Sequence, residues 1–442
     1  MLVLEAINFS ASVYQPSPPT VSRGKIAAAS VVRMSLAAEP HNLPDEPIVV
    51  TAADPAEFAY TVFHDRHPRL FTRLRDALPY GPGQLDALHR LEDETLTGTL
   101  QPLDPDAEKD AAGDYSAWTE WGAAYFGKGL RWTDVPFLWS ESYFYRRILS
   151  ATGYFAGPWH GVDPFGPMKA DSLAGAAVDK ELAAYGAPAA MSPAERDAAL
   201  LAACLSGNQA DLGFQLIAGA PVGVSLLVDD NAAIWAYLNS HKPGRVNLVA
   251  DNAAEELLPD LLLIEHLITT GRATNSTVFL KPRPYYVSDA MTQDAVALLR
   301  RLVAAPGPAG EAGRRLWRYC SDGRVVFEAP DFFCSPLGFR DFPAEIRAAI
   351  GSATLTFVKG DLNYRRLVGD RLWPVTTSFA ELTGYLPGAV AALRTCKSDV
   401  AVGLSGQTAA ALDAASPGWR YGGKHAVIQF SGPRAGNAPD AP

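Results

Sequence analysis

Cysteine is scarce in this 442-residue chain, which has four cysteines and no C-x-x-C pair. So sparse a set excludes a disulfide scaffold and favours reduced thiols in a cytoplasmic protein. Charged residues are also few, at 19%, and acidic residues exceed basic ones, which gives a formal net charge of −10. Because this charge repels nucleic-acid backbones, we expect no nucleic-acid partner. A phosphate-bearing ligand would need a local cluster of cations.

Long apolar runs are missing as well. The longest uncharged apolar stretch, residues 212–228, contains Gln215, Pro221 and several glycines, a composition typical of a strand–turn–strand or a buried helix. The N-terminus has Glu5 where a signal peptide has basic residues. We therefore predict no transmembrane segment, no membrane partner and no secretion. The oligomeric state stays open.

The chain does contain 48% hydrophobic residues, enough for a large core in two or three domains. Residues 1–50 mix proline, small and polar residues without a period, and we predict a flexible leader there. Apolar residues recur at helical spacing over residues 51–215, which predicts an all-helical domain. Residues 216–432 are predicted to form the catalytic domain, and residues 433–442 a disordered tail.

Seven short apolar or β-branched runs, most of them followed by a polar loop and a helix, occupy the predicted catalytic domain. This alternation predicts an α/β fold: a three-layer α/β/α domain with a mostly parallel sheet, next to the helical N-terminal domain. The predicted strands are residues 222–228, 245–250, 276–280, 324–329, 353–358, 391–396 and 425–430.

Oxygen-bearing side chains follow two of these strands. Asp251 and Asn252 come directly after the second, and Asp289 lies in the loop after the third. An Asp that begins a helix is ordinarily a cap. However, ligands of an open α/β sheet bind beyond the carboxyl ends of the strands, and three oxygen donors suit a hard divalent cation such as Mg²⁺ or Mn²⁺. We expect the three side chains to converge on one ion.

The segment FVKGDLNYRRLVGDRLWP, residues 357–374, follows the fifth predicted strand. Gly360 permits a tight turn, and Lys359 offers a point charge to a phosphoryl oxygen. Asp361 and Asn363 can bind hydroxyl groups. The alternative is a loop whose Asp caps a helix and whose cations are solvated.

The segment RTCK, residues 394–397, follows the sixth predicted strand. Arg394 and Lys397 bracket a threonine, which suits an anion pocket, although outward-pointing charges at a strand end are the alternative. We expect Lys359 and Lys397 to lie on either side of a phosphate-sized space that faces the metal.

Together these segments resemble ARMT1-like subfamily III of the DUF89 damage-control phosphatases. The resemblance covers roughly residues 55–430. It implies a helical domain packed on an α/β/α domain, and a phosphatase that uses one divalent ion (Mn²⁺, Mg²⁺, Co²⁺ or Ni²⁺). The implied substrates are small phosphorylated molecules, namely sugar phosphates such as fructose phosphates and related phosphometabolites, with a role in metabolite damage control. The matching segments are WSESYFYRRI (139–148), SGNQADL (206–212), residues 240–263, KPRPYYVSDAMTQD (281–294), residues 357–374 and RTCK.

The resemblance also implies roles for individual residues. Glu141 and Asn208, from the helical domain, would close the pocket, although an ion pair of Glu141 with Arg146 or Arg147 is as plausible. One position departs from the family pattern D-N-A-G-x-E, since Ala254 replaces its glycine. The implied metal ligands are Asp251, Asn252 and Asp289, and the implied substrate contacts are Lys359, Asp361, Asn363, Lys397 and Arg394.

The resulting hypothesis is hydrolysis of a phosphomonoester, with Asp251, Asn252, Lys359 and Lys397 as catalytic residues. The sequence leaves open whether the nucleophile is water or Asp251. One alternative is an S-adenosylmethionine-dependent protein-glutamate carboxyl methyltransferase, an activity associated with this family. It ranks lower because no G-x-G loop follows a candidate first strand. Another alternative is a non-catalytic phosphosugar-binding protein. The presence of all three implied metal-ligand positions argues against it, because binding alone does not need a metal.

Overall fold

One seven-stranded sheet organises the computed structural model, which describes residues 47–108, 113–185, 192–205, 224–416 and 418–433. Each strand overlaps one of the seven runs predicted from the sequence. The strands are β1 (Ser225–Asp229), β2 (Gly244–Val249), β3 (Ala273–Phe279), β4 (Val325–Glu328), β5 (Leu355–Lys359), β6 (Val390–Thr395) and β7 (His425–Ser431).

The sheet is mostly parallel, as the sequence predicts. Its strand order is β1-β7-β6-β5-β2-β3-β4, and every neighbouring pair is parallel except β6 with β7. Therefore β6, β5, β2 and β3 lie side by side with their carboxyl ends at one edge. This edge carries the polar segments singled out in the sequence.

Apolar side chains cover both faces of the sheet. Along β5, Leu355 and Phe357 belong to one hydrophobic core, whereas Val358 belongs to the other. Successive strand residues point to opposite faces, so the two cores lie on opposite sides of the sheet. This is the predicted three-layer arrangement.

Helices precede the first strand, as predicted. Their residues share a core with the sheet, since Phe63 and Phe144 belong to the same cluster as Val358 and Val427. These helices are α1 (Phe58–Thr61), a π-helical turn (Val62–Arg66), α2 (His67–Ala77), α3 (Pro82–Thr97), α4 (Pro105–Glu108), α5 (Tyr115–Gly122), α6 (Phe137–Thr152), α7 (Gly166–Ala174), α8 (Ala176–Ala184) and α9 (Pro193–Ala203).

The remaining helices connect or follow the strands, and they complete the outer layers. No helix in the described ranges is long and apolar enough to span a membrane. These helices are α10 (Asn231–Ser240), α11 (Leu257–Thr269), α12 (Thr292–Ala304), α13 (Gly307–Ser321), α14 (Ala344–Gly351), α15 (Gly360–Val368), α16 (Phe379–Thr383) and α17 (Gly406–Ala415).

Several predicted segments lie outside the described residues. These are the leader apart from residues 47–50, nearly all of the tail, and the boundary between the helical and catalytic domains at residues 215 and 216. The domain limits therefore stay predictions.

Candidate functional site

A cavity of about 250 Å³ lies at the carboxyl ends of the central strands. Its lining comes from both the sheet edge and the N-terminal helices. Most of the lining side chains are polar or charged, and carboxylates outnumber cations. The lining residues are Phe58, Arg66, Glu141, Tyr145, Ser172, Asp251, Asn252, Ala253, Glu255, Glu256, Tyr286, Val287, Ser288, Asp289, Asp361, Leu362, Arg365 and Lys397.

The structure brings Asp251, Asn252 and Asp289 together in this lining. The loop after β2 and the loop after β3 are joined by hydrogen bonds. Asn252 and Asp289 form an isolated antiparallel bridge, and the N–H of Ala290 donates to the carbonyl oxygen of Asp251 at 2.8 Å. The hydroxyl of Ser288 donates to Oδ1 of Asn252 at 2.6 Å. The predicted trio therefore sits on one cross-linked pair of loops.

Two carboxylate oxygens in this trio are buried without a hydrogen-bond partner among the described residues, namely Oδ1 of Asp251 and Oδ2 of Asp289. The ammonium of Lys281 lies 3.2 Å from the latter, as an ion pair. Buried carboxylates without donors are costly, and a cation offsets that cost. Two carboxylates and one amide therefore fit a hard divalent ion that completes its shell with water. No group of three or more His, Cys, Asp or Glu side chains within the described ranges has metal-site geometry.

The same crowding perturbs both acids. Burial raises the pKa of Asp251 well above its ordinary value, and the charges of Glu256 and Asp289 raise it further. Burial also raises the pKa of Asp289 to about 6, against the opposing effect of Lys281. Positive charge brought to these oxygens would favour their ionised forms.

Gly360 makes room for Asp251. This glycine has a φ of +80°, and a Cβ built on it would lie 1.8 Å from Oδ2 of Asp251. Only glycine combines that backbone angle with so close an approach. The glycine after β5 therefore leaves room for the carboxylate of Asp251, in addition to permitting the tight turn expected from the sequence.

Ala254, which stands where the resemblance implies a glycine, is strained. Its φ is +53°, a left-handed conformation that costs a residue with a Cβ about 1–2 kcal/mol. Tyr286, on the facing loop, has a φ of +51°. Both strained residues lie next to the cavity. Strained backbone conformations often cluster at functional sites.

Lys359 does not line the cavity. Its ammonium lies 3.1 Å from Oδ1 of Asp260 and 3.3 Å from Oε1 of Glu256, and it donates to the carbonyl oxygen of Cys204. The reason is strand alternation, since Lys359 is the last residue of β5 and shares a face with Phe357. The structure therefore departs from the expectation of two lysines flanking one space. Lys359 instead holds Glu256, whose other oxygen accepts from Nδ2 of Asn252 at 2.9 Å.

Lys397 does line the cavity, and its ammonium has no hydrogen bond or ion pair with another described residue. Its backbone N–H donates to Oδ1 of Asp361 at 3.0 Å, and Nε of Arg394 donates to the same oxygen at 2.7 Å. Burial alone would raise the pKa of Asp361, but the Arg394 guanidinium brings it below its ordinary value. Asp361 thus fixes the backbone that presents Lys397.

Arg394 and Asn363, both predicted to contact substrate, are buried structural residues here. Arg394 donates to the carbonyl oxygen of Val400 at 2.6 Å and braces the loop after β6. Nδ2 of Asn363 donates to the carbonyl oxygens of Ala250 at 3.0 Å and Lys359 at 2.9 Å. Their donor groups bind neighbouring backbone and side chains, whereas Oδ1 of Asn363 is buried without a partner among the described residues. Neither residue lines the cavity.

Glu141 lines the opposite wall, as the resemblance implied. Its Oε2 accepts from the hydroxyl of Tyr286 at 3.1 Å and from Nη1 of Arg365 at 3.0 Å. Burial raises the pKa of Glu141, and Arg365 opposes that rise. The alternative ion pairs are not formed, because Arg146 binds Glu108 and Asp114, and Arg147 binds Glu94. Asn208, its predicted companion, lies outside the described residues.

The sequence did not predict two of the cationic side chains that line the cavity. Arg365 binds Asp370 through two nitrogens, at 2.7 and 2.9 Å, in addition to its contact with Glu141. Arg66 ends the π-helical turn, and its side chain makes no hydrogen bond or ion pair with another described residue. The pair of arginines after the fifth strand was a visible signal for Arg365, whereas nothing in the sequence marks Arg66.

Comparisons with known proteins cover most of the chain. A family model described as the damage-control phosphatase ARMT1-like domain matches residues 62–412. Damage-control phosphatase ARMT1 of Danio rerio is 30% identical over 441 residues, which cover 88% of this chain and 97% of that protein. The Mus musculus protein of the same name is 27% identical, with 88% and 99% covered. A crystal structure of a DUF89 family protein from Pyrococcus horikoshii has 14% identity and a TM-score of 0.46, and the likeness covers 84% of this chain and 97% of that one.

Proposed function

The chain belongs to the family of ARMT1-like damage-control phosphatases, and from that premise we propose that it is a divalent-metal-dependent phosphatase of sugar phosphates. The observation that carries the proposal is a pair of buried carboxylate oxygens, Oδ1 of Asp251 and Oδ2 of Asp289, which have no hydrogen-bond partner among the described residues, although the second forms an ion pair with Lys281. The ammonium of Lys397, which has no partner among those residues, lines the same cavity. A cation site next to a cationic side chain suits a phosphate group, which contacts both.

Asp251, Asn252 and Asp289 would hold one ion of Mg²⁺, Mn²⁺, Co²⁺ or Ni²⁺. When bound, such an ion supplies positive charge to phosphoryl oxygens. The protein's own part is to keep the three ligands in place. Gly360 leaves room for the Asp251 carboxylate, Glu256 orients the Asn252 amide, and Ser288 ties the two loops together.

Cationic side chains would bind the transferred phosphoryl group. Lys397 and Arg66 both line the cavity without side-chain partners among the described residues. Because charge spreads over the equatorial oxygens in the transition state, such contacts strengthen as the reaction proceeds. Removing Lys397 should therefore raise KM and lower kcat together.

The opposite wall would recognise the sugar. Glu141 is held by Tyr286 and Arg365 through one oxygen, while its Oε1 makes no hydrogen bond with another described residue. A carboxylate oxygen held this way accepts well from a hydroxyl group. The cavity of about 250 Å³ lies below the roughly 300–1,000 Å³ of drug-sized sites. A compact hexose or pentose phosphate fits it better than a phosphopeptide.

The proposal includes a cytoplasmic setting. All four cysteines are free, and three of them are buried. Unpaired thiols are typical of a reducing compartment.

The test is phosphate release by the EDTA-treated protein as each of the four metals is added back. We expect fructose phosphates and other sugar phosphates to be hydrolysed only with metal, and faster than phosphopeptides. Asp251→Ala should abolish turnover, whereas Asp331→Ala, which removes an exposed carboxylate that does not line the cavity, should not. Full activity in EDTA, or in Asp251→Ala, would contradict the proposal.

A further inference from the structure

Positive charge is concentrated on the α12–α13 hairpin, which does not line the cavity described above. Residues 300–318 contain five arginines and one acidic residue, in a chain whose formal net charge is −10. Such segregation of charge creates a local field opposite in sign to that of the whole protein. The residues concerned are Arg300, Arg301, Arg314, Arg315, Arg318 and Glu311.

Two of these arginines are engaged. Arg301 lies 2.6 Å from Asp179, and Arg315 binds the buried Glu265. The other three, at positions 300, 314 and 318, are exposed, and their side chains have no hydrogen bond or ion pair with another described residue. Arg314 and Arg318 are one turn apart on α13, where like charges repel. An anion bound between them would relieve that repulsion.

A groove of about 710 Å³ runs between α12 and α13. Its lining consists of the three arginines without partners, together with Val303, Trp317, the ion-paired Arg315 and one carboxylate, Glu311. The Trp317 side chain is 43% exposed, whereas most large apolar side chains of the described residues are buried. The groove therefore offers an open aromatic face beside three guanidinium groups.

We propose that this groove binds a nucleoside di- or triphosphate, with the base on Trp317 and the phosphates on Arg300, Arg314 and Arg318. Guanidinium groups bind phosphate oxygens through two parallel hydrogen bonds, and an indole ring stacks on a nucleobase. The volume suits a ligand of nucleotide size. A long nucleic acid is disfavoured, because the rest of an acidic surface repels it.

Calorimetric titration of the EDTA-treated protein with ATP, ADP and inorganic tripolyphosphate tests the proposal. The chelator separates this site from the metal-dependent cavity. We expect one nucleotide per chain, with binding that weakens as salt is raised. Arg314→Gln and Arg318→Gln should each weaken ATP binding by about tenfold or more, because each removes charged hydrogen bonds to phosphate. Arg301→Gln is the matched control: it removes the same charge outside the groove and should bind ATP like the wild type.

Trp317→Leu tests the contact with the base separately from the contacts with the phosphates. It should weaken ATP binding by about tenfold, in line with the loss of one stacked base, and leave tripolyphosphate binding unchanged. The proposal is overturned if wild-type protein shows no saturable binding, if Arg301→Gln loses as much affinity as Arg314→Gln, or if Trp317→Leu has no effect on ATP. Tighter binding of an acidic peptide or a single-stranded oligonucleotide than of ATP would also overturn it. Arg314, Arg318 and Trp317 are exposed and the Arg301 side chain is 22% exposed, so circular dichroism should report unchanged folds for all four variants.

Discussion

Replacing Gly360 with alanine should damage the site more than the fold. A Cβ at this position would lie 1.8 Å from Oδ2, 2.2 Å from Cγ and 2.6 Å from Cβ of Asp251. Since real Cβ atoms essentially never approach within 3.0 Å, the carboxylate or the turn must move by at least 1.2 Å, the difference between 3.0 and 1.8 Å. A misplacement of about 1 Å can cost about 10²-fold in rate. The φ of +80° adds about 1–2 kcal/mol of strain.

We therefore expect Gly360→Ala to lower kcat/KM for a sugar phosphate by about 100-fold or more at saturating Mn²⁺. Urea unfolding should show a loss of only about 1–3 kcal/mol. Gly323→Ala is the matched control, because Gly323 has a φ of +79° and nothing within 4 Å of its added Cβ. It should lose similar stability and keep its activity. If Gly360→Ala kept the activity of Gly323→Ala, the close approach to Asp251 would have no functional role.

Three further predictions follow from single residues. Ala254→Gly should raise the free energy of unfolding by up to about 1 kcal/mol in urea titrations, because the relief of left-handed strain exceeds the entropic cost of glycine. A loss of stability would contradict this prediction. Burial and the charge of Glu255 raise the pKa of Glu181 to about 8, so the stability it contributes at acid pH is lost as pH rises from about 4.5 to about 8. Glu181→Gln should therefore stabilise the protein by roughly 2–4 kcal/mol at about pH 9 and leave it unchanged at about pH 4, and equal effects at both would refute the assignment. Glu141→Ala should reduce kcat/KM for sugar phosphates far more than for p-nitrophenyl phosphate, which has no sugar hydroxyls, and equal losses would assign Glu141 to the fold or the metal.

The sheet and the convergence of Asp251, Asn252 and Asp289 could be predicted from the sequence because their signals are local. A buried parallel strand such as β2 or β5 is a continuous apolar run with a polar break behind it. Asp251, Asn252 and Asp289 each follow such a strand, so neighbouring strand ends place them together. Only the family pattern pointed to Glu141, because its partners Tyr286 and Arg365 are distant in the chain.

The spacing of residues along the chain does not give side-chain direction, so it could not show that Lys359 and Asn363 do not line the cavity. Lys359 stands one residue before the turn, and strand alternation directs it away from the cavity toward Asp260. Asn363 is polar because two backbone carbonyl groups need a donor. Arg66 reaches the cavity from a π-helical turn, a local irregularity with no sequence signature.

We propose one metal site made by two carboxylates and an amide, and counting bound metal tests this proposal most directly. Calorimetric titration of EDTA-treated protein with Mn²⁺ should give one ion per chain for the wild type and for Asp331→Ala. It should give none for Asp251→Ala or Asp289→Ala, since each variant removes a buried carboxylate oxygen that has no other hydrogen-bond partner among the described residues. Undiminished Mn²⁺ binding by both of those variants would contradict the account.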